Sequence, residues 1–217
     1  MDPVPLAVAC VPLALYLVSL GAINLRRRPF VATGALDVAA LAAGLCGLVI
    51  VGPMNLFLPE AAAMRFGPLA WLLLLGFYGL CVLLYVLLAR PRLVVFNVAA
   101  EQLRPVLEVV TRKLDHDTRL AGDAVQMPQL TVQLHLDASP TMRNVSLVAT
   151  GDSQSHSGWQ RLQLELNAAL HDVEVPRNPR GFTFLTLGLA LIGWPLVQLV
   201  QMPSQLVAQQ LRDMLRI

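Results

Sequence analysis

The sequence predicts an α+β membrane protein: four transmembrane helices, a small two-layer α+β domain inserted between helices 3 and 4, and a C-terminal amphipathic helix. Two observations lead to this fold class. Hydrophobic residues make up 56% of the 217-residue chain and charged residues only 14%, whereas soluble proteins average roughly 45–50% and about 25%. The charges are also unevenly distributed, because residues 1–89 are mostly uncharged whereas residues 90–180 contain ten basic and ten acidic residues. The chain therefore combines a membrane part with a polar domain.

Four stretches of the chain carry no charged residue and are long enough to be transmembrane helices. They are residues 3–25, 38–58, 69–89 and 181–200. Each reaches the roughly twenty apolar residues that cross a hydrocarbon core of about 30 Å. The third stretch contains ten leucines, each of which favours membrane insertion.

Arginine placement gives these helices a direction across the membrane. Arginines follow the first and third stretches and precede the fourth, whereas the segment between the second and third has only Arg65, near Glu60. The arginines that determine this topology are Arg26, Arg27, Arg28, Arg90, Arg92, Arg177 and Arg180. Because short cytosolic loops retain Lys and Arg, we expect both termini outside and residues 90–180 in the cytosol. Arginine supplies all but one of the sixteen basic residues, a bias typical of GC-rich bacterial genomes, so we expect a bacterial inner membrane.

Small residues recur at every fourth position along the second stretch. They are Ala35, Ala39, Ala43 and Gly47. Small residues let helix backbones approach closely in lipid, so this spacing predicts a helix contact face. The contacting helix belongs either to the same chain or to another subunit.

Asp37 is the acidic residue nearest to an apolar stretch. An acidic residue inside a bilayer indicates a functional site by default, here a proton or ion site. The uncharged stretch begins only after Asp37, however, so this residue can lie in the first helical turn at the cytosolic interface. There it is stabilised by the helix dipole and lies near Arg26, Arg27 and Arg28. We favour this interfacial anchor over an intramembrane site.

The polar segment begins with a strand and a helix and ends with another helix. The apolar run at 93–96 predicts a buried strand, and apolar residues at helical spacing predict a helix at 101–114 with Asn97 as its cap. Ser157 and Gln160 form a capping box for the last helix of the segment.

Three further strands are predicted between these helices. Their ranges are 119–127, 131–137 and 144–150, and the last two form an antiparallel hairpin because their apolar residues alternate on either side of a turn. The order β-α-β-β-β-α favours both helices on one face of an antiparallel sheet. Residues 204–217 predict an amphipathic helix, either at the outer interface or against a partner's helix.

Residues that could carry chemistry are few. The sequence has no Walker loop, G-x-G-x-x-G, H-E-x-x-H or Cys-x-x-Cys motif. The three cysteines lie in different apolar stretches, which argues against a disulfide framework or a zinc site: Cys10, Cys46 and Cys81. We interpret Asp115, His116 and Asp117 as a solvated turn. The sequence thus predicts no catalytic, cofactor-binding or metal-binding residue.

These patterns favour a non-catalytic integral membrane scaffold or accessory subunit, which presents its cytosolic domain to a protein partner. That partner is another membrane or cytosolic protein or a second copy of the chain, and no cofactor is expected. Zero net charge over residues 90–180 argues against nucleic acid as a partner. Two alternatives remain open: a component of a transporter or channel that uses Asp37, and a membrane-bound enzyme or membrane-tethered ligand sensor that uses the polar loop 151–158.

Overall fold

The computed structural model describes residues 2–54, 56, 66–139 and 142–215. In chain order the elements are α1 (Pro3–Leu25), β1 (Phe30–Thr33), α2 (Gly34–Val49), a π-helical turn (Ile50–Met54), α3 (Pro68–Leu88), β2 (Arg92–Phe96), α4 (Ala100–Leu114), β3 (Arg119–Ala121), β4 (Ala124–Met127), β5 (Val132–Ser139), β6 (Asn144–Ala149), α5 (His156–His171), α6 (Arg180–Gln201) and α7 (Ser204–Leu215). The protein therefore mixes helices with an antiparallel sheet, as the sequence predicts.

Among the described residues, four helices are long and apolar enough to cross a membrane. They are Pro3–Leu25, Gly34–Met54, Leu69–Leu88 and Arg180–Gln201. Their number and position are compatible with the multi-pass membrane protein that the sequence predicts. Part of the predicted second span, together with Glu60 and Arg65 after it, lies outside the described residues.

The second apolar helix begins earlier than predicted and is not a regular α-helix over all of its described residues. It begins at Gly34, four residues before the uncharged stretch, and the Leu36 N–H donates to Thr33 Oγ1 over 3.2 Å. Toward its end the helix widens into a π-helical turn that contains Pro53. Proline has no backbone N–H and disrupts the regular hydrogen-bond ladder, and single π-helical turns are found at such interruptions.

The chain divides into two compact units. The first, called here the membrane unit, comprises the described residues of Met1–Gly21, Val38–Leu87 and Phe182–Ile217; the second, the sheet unit, comprises Ala22–Asp37 and Leu88–Gly181. The sheet unit thus takes in a segment from between the first two apolar helices.

The sheet has six antiparallel strands in the order β1-β2-β6-β5-β4-β3. The sequence predicts four, and it misses β1, which pairs with β2 through Val31 opposite Val95. It also merges β3 with β4, which are separate because Gly122 turns the chain with a φ of +61°. The predicted hairpin of β5 and β6 is present, with Leu136 opposite Leu147.

The core of the sheet unit lies between one face of the sheet and helices α4 and α5. Along β4, β5 and β6 every second residue is buried, except at the exposed end of β5, as alternation requires. The fully buried members of the core include Val95, Val132, Leu134, Val145, Leu147, Leu103, Leu107, Leu162, Leu166 and Leu170. Burying a leucine stabilises a fold by about 1.5–3 kcal/mol, so this unit has a substantial hydrophobic core of its own.

Helix α5 begins earlier than the sequence predicts. Ser155 is its N-cap, and Ser155 Oγ accepts a hydrogen bond from the Gly158 N–H over 3.3 Å. The proposed capping box of Ser157 and Gln160 is therefore wrong, because Ser157 already lies in the first turn. The amphipathic helix after the fourth span is present as α7, and the last two residues of its predicted range lie outside the described part of the chain.

Candidate functional site

The sheet unit contains one end of each of the four apolar helices. It includes the last residues of α1, the first residues of α2, Leu88 at the end of α3, and Arg180 and Gly181 at the start of α6. All seven arginines that the sequence marks as topology determinants belong to this unit. The chain's charged candidate residues are therefore concentrated around these helix ends.

Asn178 joins the end of α1 to the start of α6. This asparagine is buried, and its N–H and its Nδ2 donate to the backbone oxygen and to Oδ1 of Asn24 over 3.1 and 3.0 Å. Its Oδ1 accepts from the Arg180 N–H over 3.2 Å. An asparagine oxygen that accepts from the first N–H groups of a helix acts as an N-cap. Asn178 therefore fixes where α6 begins.

Asn97 fixes the chain where β2 ends. It is fully buried, it has a φ of +60°, and its Nδ2 donates to the Arg26 carbonyl oxygen over 2.7 Å. Asparagine tolerates this left-handed conformation better than most residues. The prediction of Asn97 as a helix cap is wrong, since the N-cap of α4 is Ala99. The Asn97 Oδ1 atom is buried and accepts no hydrogen bond from a described residue.

Asp37 forms an ion pair with Arg92. Asp37 lies in the first turn of α2, as predicted, and its Oδ2 is 2.8 Å from Nη2 of Arg92, the first residue of β2. The sequence places Asp37 near Arg26–Arg28 instead, because the pairing of β1 with β2 that brings Arg92 close is not visible in it. The aliphatic part of Arg92 covers Gly34, where a Cβ atom would collide with it.

Two of the topology arginines line a cleft in the sheet unit. Its volume is about 440 Å³, and its lining residues are Arg27, Glu174, Val175, Pro176 and Arg177. The side chains of Arg27 and Arg177 are exposed, and neither forms an ion pair with a described residue. The Val175 N–H donates to the Arg27 carbonyl oxygen over 2.8 Å, which holds the two walls of the cleft together.

The remaining arginines are distributed around these helix ends without a shared site. Arg28 Nη1 lies 3.1 Å from His171 Nε2. Arg26 and Arg90 are exposed and have no described side-chain partner, and Arg180 contributes only its backbone N–H to the Asn178 cap.

The polar loop 151–158 is held by its own contacts. Gln154 Nε2 donates to the carbonyl oxygens of Gln133 and Thr150 over 3.0 and 2.6 Å, and Gln154 Oε1 accepts from Trp159 Nε1 over 2.9 Å. The loop therefore connects β5 to the start of α5 through a glutamine whose amide groups are already paired.

The Asp115 turn is structural. Asp115 is 1% exposed, so the prediction of a solvated turn is wrong for this residue. Its carboxylate accepts from the backbone N–H groups of Asp117 and Gln129 over 2.9 and 2.8 Å, so it links the end of α4 to the turn that follows β4. No group of three His, Cys, Asp or Glu residues that could hold a metal ion occurs among the described residues.

In the membrane unit, α2 packs on α1 through glycines. Gly44 lies against Tyr16, and Gly47 lies against the Val8 carbonyl oxygen, where neither position has room for a Cβ atom. Of the four predicted packing residues, Gly47 is buried, whereas Ala35, Ala39 and Ala43 are exposed. The contact along the three alanines stays a prediction, with a helix of the same chain or of another subunit as its partner.

A second, apolar cleft lies between α1 and α6 in the membrane unit. Its volume is about 380 Å³, and Leu6, Cys10, Leu191, Trp194 and Gln198 are among its lining residues. An apolar cleft between transmembrane helices is expected to be filled by lipid.

Sequence reasoning misses Asn24 and Asn178, and it gives Asn97 only the role of a helix cap. Asn24, Asn97 and Asn178 are uncharged and carry no motif, yet all three are buried where elements end. Their one signal in the sequence is position, because Asn24 and Asn178 lie within two residues of an arginine at a helix end.

The chain matches no protein-family model, and comparisons with curated proteins and with solved structures found no match.

Proposed function

We propose that this chain is a non-catalytic scaffold or accessory subunit of a bacterial inner membrane, which presents its sheet unit to a protein partner in the cytosol. The observation that supports this most is the presence of one end of all four apolar helices in the sheet unit. A folded unit that four membrane helices enter or leave stays at the bilayer, as a platform for a partner requires.

The sidedness of the proposal follows from this arrangement. A single folded unit cannot be divided by a bilayer, so the four helix ends lie on one side of the membrane. Each helix then crosses once, and both termini lie on the other side. The seven arginines near these ends favour the cytosol for the sheet unit.

Cysteine labelling tests this sidedness. In a variant without the native cysteines, Asp152→Cys in the sheet unit and Gln205→Cys in α7 are each exposed positions. We expect a membrane-impermeant thiol reagent to label Gln205→Cys in intact spheroplasts and Asp152→Cys only after permeabilisation. Labelling of both positions in intact spheroplasts would contradict the four-span topology.

The surface that we propose for the partner is the second face of the sheet, opposite the core. Gln126, His135 and Asp137 are exposed there, and the strand register places His135 beside Val148 and Asp137 beside Ser146. These side chains offer hydrogen-bond donors, acceptors and a negative charge on one flat surface. A non-obligate interface is about as polar as the rest of a protein surface, so the polarity of this face is compatible with such a partner.

Site-specific photo-crosslinking in native membranes tests this surface. A photoreactive amino acid at His135 is expected to form a covalent adduct with one cytosolic or membrane protein. The matched position is Arg161, which is exposed on α5 and should give no such adduct. Asp137→Lys should abolish the His135 adduct, since it reverses a charge on the same face. Equal adducts at both positions, or an adduct unaffected by Asp137→Lys, would contradict the proposal.

Two contacts support the scaffold over its alternatives. Asp37 already has a guanidinium partner in Arg92, and a paired carboxylate is a poor site for a transported cation. Gln154, the central residue of the polar loop, has its amide groups engaged within the domain, which leaves the loop less able to sense a ligand.

A further inference from the structure

The cleft between Arg27 and Arg177 has features that topology alone does not require. Arginines that only determine orientation need no common cavity, because the positive-inside rule counts charges in loops. Here two of the seven line one cleft of about 440 Å³ in the sheet unit. We propose that this cleft binds the phosphate of an anionic phospholipid headgroup.

The chain places this cleft at headgroup depth. Arg27 lies two residues after Leu25, where α1 ends, and Arg177 lies three residues before Arg180, where α6 begins. The chain extends at most about 3.6 Å per residue, so the two Cα atoms lie within about 7 and 11 Å of the helix ends. The polar layer on each side of a bilayer is about 5–8 Å thick, and an arginine side chain reaches several ångströms further toward it.

The charges of the cleft fit one phosphate. Two guanidinium groups and the Glu174 carboxylate give the lining a net charge of +1, which matches a headgroup with a single negative charge. Neither arginine is paired with a described carboxylate, so both keep their donors for a ligand. Arginine binds phosphate through two parallel N–H donors, which makes it better suited to this ligand than a point charge.

Hydrogen bonds shape the cleft before any ligand binds. Beyond the contact of Val175 with Arg27, the Arg143 Nη1 atom donates to the Pro176 carbonyl oxygen over 3.1 Å. Asn178, next to Arg177, is buried and bonded to Asn24. A preformed site loses less conformational entropy on binding, so the wall of the cleft favours a specific headgroup contact over loose attraction to the membrane surface.

The test measures the dissociation constant of phosphatidylglycerol for the full-length chain in a neutral detergent, by native mass spectrometry with phosphatidylcholine as the neutral reference. We expect the wild-type chain to prefer phosphatidylglycerol. Arg27→Gln combined with Arg177→Gln should weaken its binding about thirtyfold, which corresponds to about 1 kcal/mol for each arginine. The matched control, Arg26→Gln combined with Arg90→Gln, removes two charges near helix ends outside the cleft and should weaken binding far less.

Glu174→Gln provides a second variant, for which the affinity for phosphatidylglycerol should change in the opposite direction. It removes the negative charge of the cleft and should tighten phosphatidylglycerol binding about fivefold. This gain decides the question even if the double arginine variant fails to fold, because Glu174 is exposed. Equal losses in the cleft variant and its control, or no gain in Glu174→Gln, would overturn the proposal. Displacement of the lipid by an equal concentration of inorganic phosphate would overturn the assignment to a lipid headgroup.

Discussion

Leucine has opposite surroundings in the two units of this chain. Over an 18-residue stretch of the third apolar helix, only 6% of the residues are buried within the protein, and leucines such as Leu80 are exposed. In the sheet unit, leucines such as Leu147 and Leu166 are fully buried. The hydrophobic effect explains the second arrangement, because water drives apolar side chains together. It is absent between helices in lipid, where hydrocarbon solvates leucine as well as another leucine does.

This difference shows that exposure has a different meaning in each unit. An exposed leucine at the surface of a water-soluble domain is tolerated, whereas an exposed leucine in a membrane span contributes to insertion. The same distinction applies to packing: the sheet unit is held by large buried side chains, and α2 approaches α1 through Gly44 and Gly47. Substitutions that change volume and substitutions that change polarity should therefore affect the two units differently.

The largest loss is expected from a cavity in the sheet unit. Leu166→Ala removes a fully buried side chain of α5 and should lower the free energy of unfolding by about 2–5 kcal/mol. Leu164→Ala on the same helix is the control, because Leu164 is 70% exposed and its loss should change stability by less than about 0.5 kcal/mol. Chemical unfolding of the purified chain in detergent measures both. Equal losses would mean that α5 does not pack on the sheet as described.

A polar substitution of an exposed leucine should be more damaging in the membrane unit than in the sheet unit. Leu80 in α3 is 60% exposed and Leu164 in α5 is 70% exposed, so the two leucines are similarly free of protein contacts. Leu80→Arg should disfavour membrane insertion by about 2.5–3.5 kcal/mol, whereas Leu164→Arg should change stability by less than about 0.5 kcal/mol. The fraction of each variant that resists alkaline extraction from membranes measures this contrast. Full retention of Leu80→Arg would show that this helix does not face lipid.

A smaller loss is expected from the polar contact between α1 and α6. Asn178→Ala removes the N-cap of α6 and leaves buried polar groups of its neighbours with fewer hydrogen bonds, so stability should fall by about 1–3 kcal/mol. Hydrogen exchange should become faster in the first turn of α6 and unchanged in β5. The control is Asn167→Ala, since Asn167 is exposed on α5. A loss of stability without faster exchange in α6 would argue against the capping role.

The features that could be predicted from sequence are those encoded within one continuous segment. Ten leucines identify the third span, and the alternation of Val132, Leu134 and Leu136 identifies a strand by its period of two. Strand β1 could not be found in this way. Its four residues carry too little pattern to separate them from the flanking apolar helices, and they become a strand only by pairing with β2, more than sixty positions later in the sequence.

The candidate site shows the same limit. The preference of arginine for one side of the membrane marks Arg27 and Arg177 in the sequence, but their common cleft depends on the contact of Val175 with the Arg27 backbone. The charge of Asp37 marks it in the sequence, whereas its pairing with Arg92 depends on the β1–β2 register and carries no local pattern. Side-chain chemistry is therefore visible in the sequence, whereas the partners that give it a role come from backbone contacts between distant segments, of which a strand pair is one kind.

The smallest expected effect, and the one that separates the two interpretations of Asp37, is that of its ion pair. The carboxylate is 25% exposed and the Arg92 side chain 36% exposed, so solvent and salt screen the pair, and its coupling should be no more than about 1 kcal/mol. A double-mutant cycle of Asp37→Asn and Arg92→Gln measures this coupling.

If Asp37 is an interfacial anchor, Asp37→Asn lowers stability slightly, and the loss shrinks at high salt. If Asp37 is instead an unpaired carboxylate within the hydrocarbon region, Asp37→Asn raises stability, because a neutral amide costs less to bury in lipid than a charge. The sign of a small effect therefore decides where the second span begins.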